Sequence, residues 1–162
     1  MNFRRIASLL VVAAWGWMAL AAQAQVPQYG PNVTYDQARK ALAGAIADAR
    51  RQSLPMAVAV VDTAGQLVAF ERMDNTQTAS TAVAQDKAVS AAIYRRPTKA
   101  FQDALAAGGP GLRVLTLRGA NAVEGGLPLT IDGKIVGAIG ISGGSAEQDG
   151  VVAKAGADAM AK

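Results

Sequence analysis

The stretch Gly125–Gly144, GGLPLTIDGKIVGAIGISGG, decides how the chain is read. Two apolar runs, Leu127–Ile131 and Lys134–Ser142, flank Asp132-Gly133. Asp-Gly between such runs predicts a two-residue hairpin, because both central residues of a type I′ turn need positive φ. Strict alternation along the second strand puts Ile135, Gly137, Ile139 and Ile141 on one face. Val136, Ala138, Gly140 and Ser142 take the other. A face ending in Ala, Gly and Ser fills no space of its own, so a helix, a second subunit or a ligand is expected to come close to it.

Working backwards from the hairpin, Thr34-x-x-Gln37 is a capping box opening a helix whose Ala38, Ala41, Leu42, Ala45, Ile46 and Ala49 form one stripe. Met56–Asp62 is continuously apolar up to its last residue, as in a strand buried on both faces. A turn at Asp62–Gly65 and a return strand over Leu67–Met73 follow, crowding Glu71, Arg72 and Asp74 at the strand end. Ser80–Arg95 reads as a helix with two apolar sides: Ala82, Val89, Ala92 and Ile93, then Val83, Ala84, Ala91 and Tyr94 with Lys87 among them. Such a helix is expected to be enclosed, by the domain or by another subunit. Its lysine either packs its stem and sends its ammonium to water or an acid, or meets a ligand. Pro97-Thr98 closes this helix and caps a third, Thr98–Ala107, while Leu112–Val123 has no clear period. Beyond the hairpin, Ser145-x-x-Gln148 is a second capping box, with Val152, Ala155, Gly156 and Ala159 inward. Gly156 within a helix implies a close backbone approach. The order helix–strand–strand–helix–helix–strand–strand–helix predicts one α/β sandwich domain over residues 25–162, with a mainly antiparallel sheet.

The 162 residues suffice for one domain with a substantial core. Residues 1–24 combine a basic start, an apolar run and Ala22-Gln23-Ala24, the pattern of a secretory signal and not of a stable membrane anchor. A periplasmic or secreted protein is therefore expected. Without the leader, 14 basic residues face 12 acidic ones, and the isolated pairs Arg50-Arg51 and Arg95-Arg96 form no nucleic-acid stripe. The chain has no cysteine, so no disulfide holds it. It also has no histidine, which excludes Ser-His-Asp and Cys-His catalysis and removes the usual metal and haem-iron ligand.

Ser142-Gly143-Gly144-Ser145 runs from a strand into a helix N-terminus, where free amides favour an anion. Gly125-Gly126 allow a second backbone to approach the same place. No nucleotide-binding glycine pattern is present.

VVDTAGQLVAFERMD (Val60–Asp74), QDKAVSAA (Gln85–Ala92), the Gly125–Gly144 stretch and QDGVVAKAGADA (Gln148–Ala159) resemble the GlcG/HbpS-type family of haem-binding or haem-degrading domains. The resemblance spans essentially the whole chain after the leader. It implies a profilin-like α/β domain assembling into symmetric homo-oligomers, and binding of haem or related tetrapyrroles, sometimes in redox sensing. Other members accompany glycolate, diol or aromatic catabolism. Members that ligate haem iron use histidine; here Tyr94, Met73 or a lysine would have to substitute.

Three functions fit these features. As a binding protein for haem or another flat acidic molecule, the chain would meet carboxylates with Arg72, Lys87 and the Ser142, Gly143, Gly144 and Ser145 corner. As an enzyme on a small oxo- or hydroxy-acid, it would use Lys87 as base or clamp, Asp74 or Asp149 as proton carrier, and glycine amides as an oxyanion site. As an interaction protein, it would use its helices for assembly alone.

Overall fold

The structure, a computed structural model, describes residues 26–161, so the expected leader lies outside the described residues. Its elements are α1 (Tyr35–Arg51), β1 (Ala57–Asp62), β2 (Leu67–Arg72), α2 (Ser80–Tyr94), α3 (Lys99–Ala106), β3 (Gly126–Ile131), β4 (Lys134–Ser142) and α4 (Ala146–Met160). A 3₁₀ segment, Gly109–Thr116, occupies part of the stretch without clear period. The element order is the expected one. The four strands form an antiparallel sheet in the order β2-β1-β4-β3, flanked by helices on both faces.

Each end of the sequence pattern has a local cause. Thr34 Oγ1 accepts from the Gln37 amide at 3.2 Å while Gln37 Oε1 accepts from the Thr34 amide at 2.9 Å, so both orphan donors at the start of α1 are satisfied. Ser145 and Gln148 repeat this reciprocal cap on α4. Asp132 and Gly133 both have positive φ, 50° and 73°, as the β3–β4 turn requires. In the β1–β2 turn, Asp62 Oδ1 accepts from the amides of Ala64 and Gln66 at 2.8 and 2.9 Å, an Asx device.

On one face of the sheet, α1 and α4 cover Val58, Val60, Leu129, Ile139 and Ile141. These helices meet closely where Gly156 lies under Ile139 and the Ala41 carbonyl, which explains a glycine in mid-helix. The other face carries Ala57, Ala59, Val61 and Ala138 against Ala84, Ala88, Ala91 and Ala92 of α2. The small face of β4 is therefore filled by a helix of the same chain. A Cβ on Gly140 would overlap the Ala84 carbonyl and the Ala88 amide nitrogen.

Two expectations are corrected and one is narrowed. The β3–β4 pairing passes from Leu129↔Gly137 to Thr130↔Ile135, so Val136 is an extra residue and joins Ile139 and Ile141 in the α1/α4 core. Strict alternation fails there because a bulge consumes one residue of the pleat. The domain by itself does not enclose α2: its face bearing Ala84, Lys87, Ala88 and Ala91 is buried, whereas Ala82 and Ile93 are left exposed on this chain. Thr98 does not cap α3 through its side chain. Its hydroxyl accepts from the Gly126 amide at 2.9 Å, and its own amide donates back to the Gly126 carbonyl at 3.0 Å, tying α3 to β3.

Because the space beside Gly140 is bounded by backbone, which cannot rotate away, Gly140→Ala is expected to destabilise the fold by about 3 kcal/mol. Chemical denaturation measures this; a loss below about 1 kcal/mol would mean that α2 moves freely on the sheet.

Candidate functional site

Two expected site residues, Lys87 and Asp149, do come together, and they do so beneath the surface. Lys87 leaves the buried face of α2 and is 1% exposed. Its Nζ donates to Asp149 Oδ2 at 2.6 Å and to the Ile141 carbonyl at 3.0 Å. Asp149 sits in the first turn region of α4, and its Oδ1 accepts from the Gly144 amide at 2.9 Å. The anion drawn to this helix N-terminus is thus the chain's own carboxylate. Gly125 closes the pair over: at φ 125°, a Cβ there would lie 2.9 Å from Lys87 Nζ and 2.8 Å from Asp149 Cβ.

The rest of the strand-to-helix corner is also engaged within the protein. Ser142 Oγ donates to Ser80 Oγ at 3.0 Å, and the Ser145 amide donates to Gln148 Oε1 at 2.8 Å. Gly143 packs against the Pro55 carbonyl and Met56, leaving no room for a side chain. Arg72 and Asp74 lie elsewhere. Both are exposed at the end of β2, where they line a shallow surface hollow of about 300 Å³ with Arg50, Glu71 and Met73, two strands away from Ser142.

Burial raises the Asp149 carboxyl above its ordinary value; hydrogen bonds from Lys87 and the Gly144 amide pull it back only in part.

An opening lies on the outer side of Gly125, where the edge strand β3 faces α4 and the start of α3. It is a cleft of about 490 Å³. Leu127, Pro128, Ala153 and Ala157 give it an apolar lining, while Gly125 and Gly126 form part of its wall. Lys99 and Lys154 stand in it together with Glu124 and Asp158. Each lysine is steadied by an aspartate one turn on, Lys99 by Asp103 at 2.7 Å and Lys154 by Asp158 at 2.6 Å. The hydrogen bond to Asp103 holds the Lys99 ammonium above its ordinary pKa, so it stays charged at neutral pH.

Of the expected ligand-binding residues, Gly125 and Gly126 reach this cleft; Lys87 lies behind its wall. The sequence reasoning did not select Lys99, Lys154, Leu127 or Thr130. The available signal was Pro128, since a proline within a strand marks a sheet edge.

Residues 33–158 match the model of the family described as haem degrading protein HbpS-like. The chain belongs to this family. The GlcG protein of Escherichia coli K12 is 34% identical over 95 residues, covering 59% of this chain and 69% of GlcG. Among solved structures, HbpS superposes with a TM-score of 0.72 at 31% identity, covering 81% of this chain and 92% of that one. The crystal structure of the PduOC:heme complex superposes with a TM-score of 0.70 at 27% identity, covering 79% of this chain and 94% of that one.

A haem would find a partial fit in the cleft of this HbpS-like chain. Apolar walls suit a flat macrocycle, and two ammonium groups suit its carboxylates. The iron is not provided for. Tyr94 donates its hydroxyl to the Arg118 carbonyl at 2.7 Å and stacks edge-on with Phe101, while Met73 packs against the α1/α4 core. Neither is free to replace the absent histidine. Among the described residues, no cluster of three or more acidic side chains could hold a metal ion.

Removing one partner of the buried pair leaves the other uncompensated. Lys87→Met is expected to lose about 3–5 kcal/mol in chemical denaturation, and Lys87→Met combined with Asp149→Leu to recover most of it. A double variant no more stable than the single one would show that the pair, and not its packing, holds α2 to α4.

The raised pKa of Asp149 also fixes a sign. The native state holds this proton more tightly than the unfolded chain, so its contribution is fully present below 3.8, the unfolded value, and is lost as pH climbs through the raised one. Wild-type stability should therefore fall relative to Asp149→Asn as pH rises across that window. A gap moving the other way would mean that pairing with Lys87 outweighs burial.

Proposed function

We propose that this HbpS-like protein is a binding protein for a flat, acidic small molecule of the tetrapyrrole class, seated in the cleft between β3 and α4. The carrying observation is the cleft itself: apolar walls beneath two charged lysines, at the open edge of the sheet. The relation to HbpS and to a protein solved as a haem complex supports this ligand class. The leader-like residues 1–24 support export to the periplasm or beyond. No helix among the described residues is long and apolar enough to cross a membrane. Exposed Leu112 and Leu115, 51% and 71% accessible, supply apolar surface for the homo-oligomer that the resemblance implies.

The enzyme reading has less support. Lys87 and Asp149 hold each other beneath Gly125, so neither meets a bound acid as base or proton carrier. Asp74 stands on a different surface.

The test uses protoporphyrin IX, followed by its fluorescence, on the protein lacking residues 1–24. Saturable binding is expected, and Thr130→Trp, an exposed edge-strand residue in the cleft, should weaken it by about tenfold or more while leaving thermal stability intact. Absence of saturable binding, or binding unaffected by Thr130→Trp, would overturn the proposal.

A further inference from the structure

The cleft and the family pull apart at one point, the metal. A tetrapyrrole can be held through its ring faces, through its carboxylates, or through a protein ligand to its central metal. The first two have partners here: Leu127, Pro128 and Ala157 for the ring, Lys99 and Lys154 for the acid groups. The third has none of the usual kind. The whole sequence contains no histidine and no cysteine, so a second copy of the chain would bring none either. The described methionines are all committed to the core, Met56 and Met160 within it and Met73 against it. Tyr29 and Tyr94 donate their hydroxyls to the carbonyls of Ala92 and Arg118, and no tyrosine lines the cleft.

The two lysines do not replace such a ligand. Each carries its proton into an ion pair with its aspartate, and the Asp103 hydrogen bond strengthens that protonation at Lys99. An ammonium has three donors and no lone pair, so it recognises carboxylates and not iron.

From this we infer that the cleft recognises the tetrapyrrole by shape and by its acid groups and is indifferent to the metal in the ring, accepting iron-bearing, zinc-bearing and metal-free forms alike. This rests on the tetrapyrrole-binding reading above and narrows it. It separates this chain from a haem protein whose affinity and redox chemistry come from axial coordination: here the carboxylates set affinity and the metal adds little.

The experiment compares hemin, zinc protoporphyrin and metal-free protoporphyrin IX, each titrated into the protein lacking residues 1–24, with the dimethyl ester of protoporphyrin IX as a fourth probe. The three acids should bind within about threefold of one another. The ester should bind about tenfold more weakly or worse, and Lys99→Ala combined with Lys154→Ala should reproduce that loss for the acids. Both lysines are exposed, so this variant keeps the fold. Bound hemin should show no six-coordinate low-spin spectrum. Hemin binding more than about thirtyfold tighter than the metal-free ring, or a six-coordinate low-spin spectrum of bound hemin, would overturn the inference while leaving tetrapyrrole binding in place. Failure of all four probes to bind would remove the underlying reading, and this inference with it.

Discussion

The structure depends on how closely α2 lies on the sheet. Gly140 and Ala138 of β4, Ala57 and Ala59 of β1, and Ala84 and Ala88 of α2 let helix and strand backbones approach nearly to contact. At that distance there is no layer of large side chains between helix and sheet. A long side chain leaving the buried face of α2 must run along the interface to its end. Lys87 does this, and its ammonium emerges where β4 turns into α4, beside Asp149. Backbone proximity, a consequence of Gly and Ala, places the buried charge.

The buried pair explains why a glycine-rich corner with free amides is closed to ligands here. Desolvating an ammonium is costly unless it is paired and hydrogen-bonded, and Lys87 obtains a carboxylate and a carbonyl. Desolvating the carboxylate is offset in part by Lys87 and the Gly144 amide. An external anion would have to displace Asp149 from both donors. The glycines 125, 126, 140 and 143 serve the same enclosure, since each lies where a Cβ would strike neighbouring atoms. Glycine enrichment in this region is thus chiefly a packing requirement.

Open space lies further out, on the neighbouring surface. The cleft opens because β3 is an edge strand with Pro128 in it, leaving room between the sheet edge and α4. Family membership carries the fold to this chain, but the ligand's anchoring depends on individual side chains. In this chain the cleft carries two lysines held by i+4 aspartates, and the sequence has no histidine.

Local chemistry was legible in the sequence wherever it is decided within a few residues. The two capping boxes and the Asp-Gly turn could be read directly, because each rests on hydrogen bonds or dihedral limits inside one short segment, while the α1 stripe is a local periodicity and the absence of histidine a matter of composition. Val136 escaped because a bulge is a property of two paired strands, and the side of α2 that the domain covers was not legible because a helix rich in alanine has no pronounced apolar side. Lys87 and Asp149 could each be singled out as a charge in an apolar setting, yet only the packing of α2 and α4 on β4 made them partners. Lys99 and Lys154 looked like ordinary surface residues until the strand order placed them across one cleft. The sequence determined the elements and what chemistry they lack; tertiary structure decided which charges are spent inside and which face the open cleft, because those distances span more than 50 residues of chain.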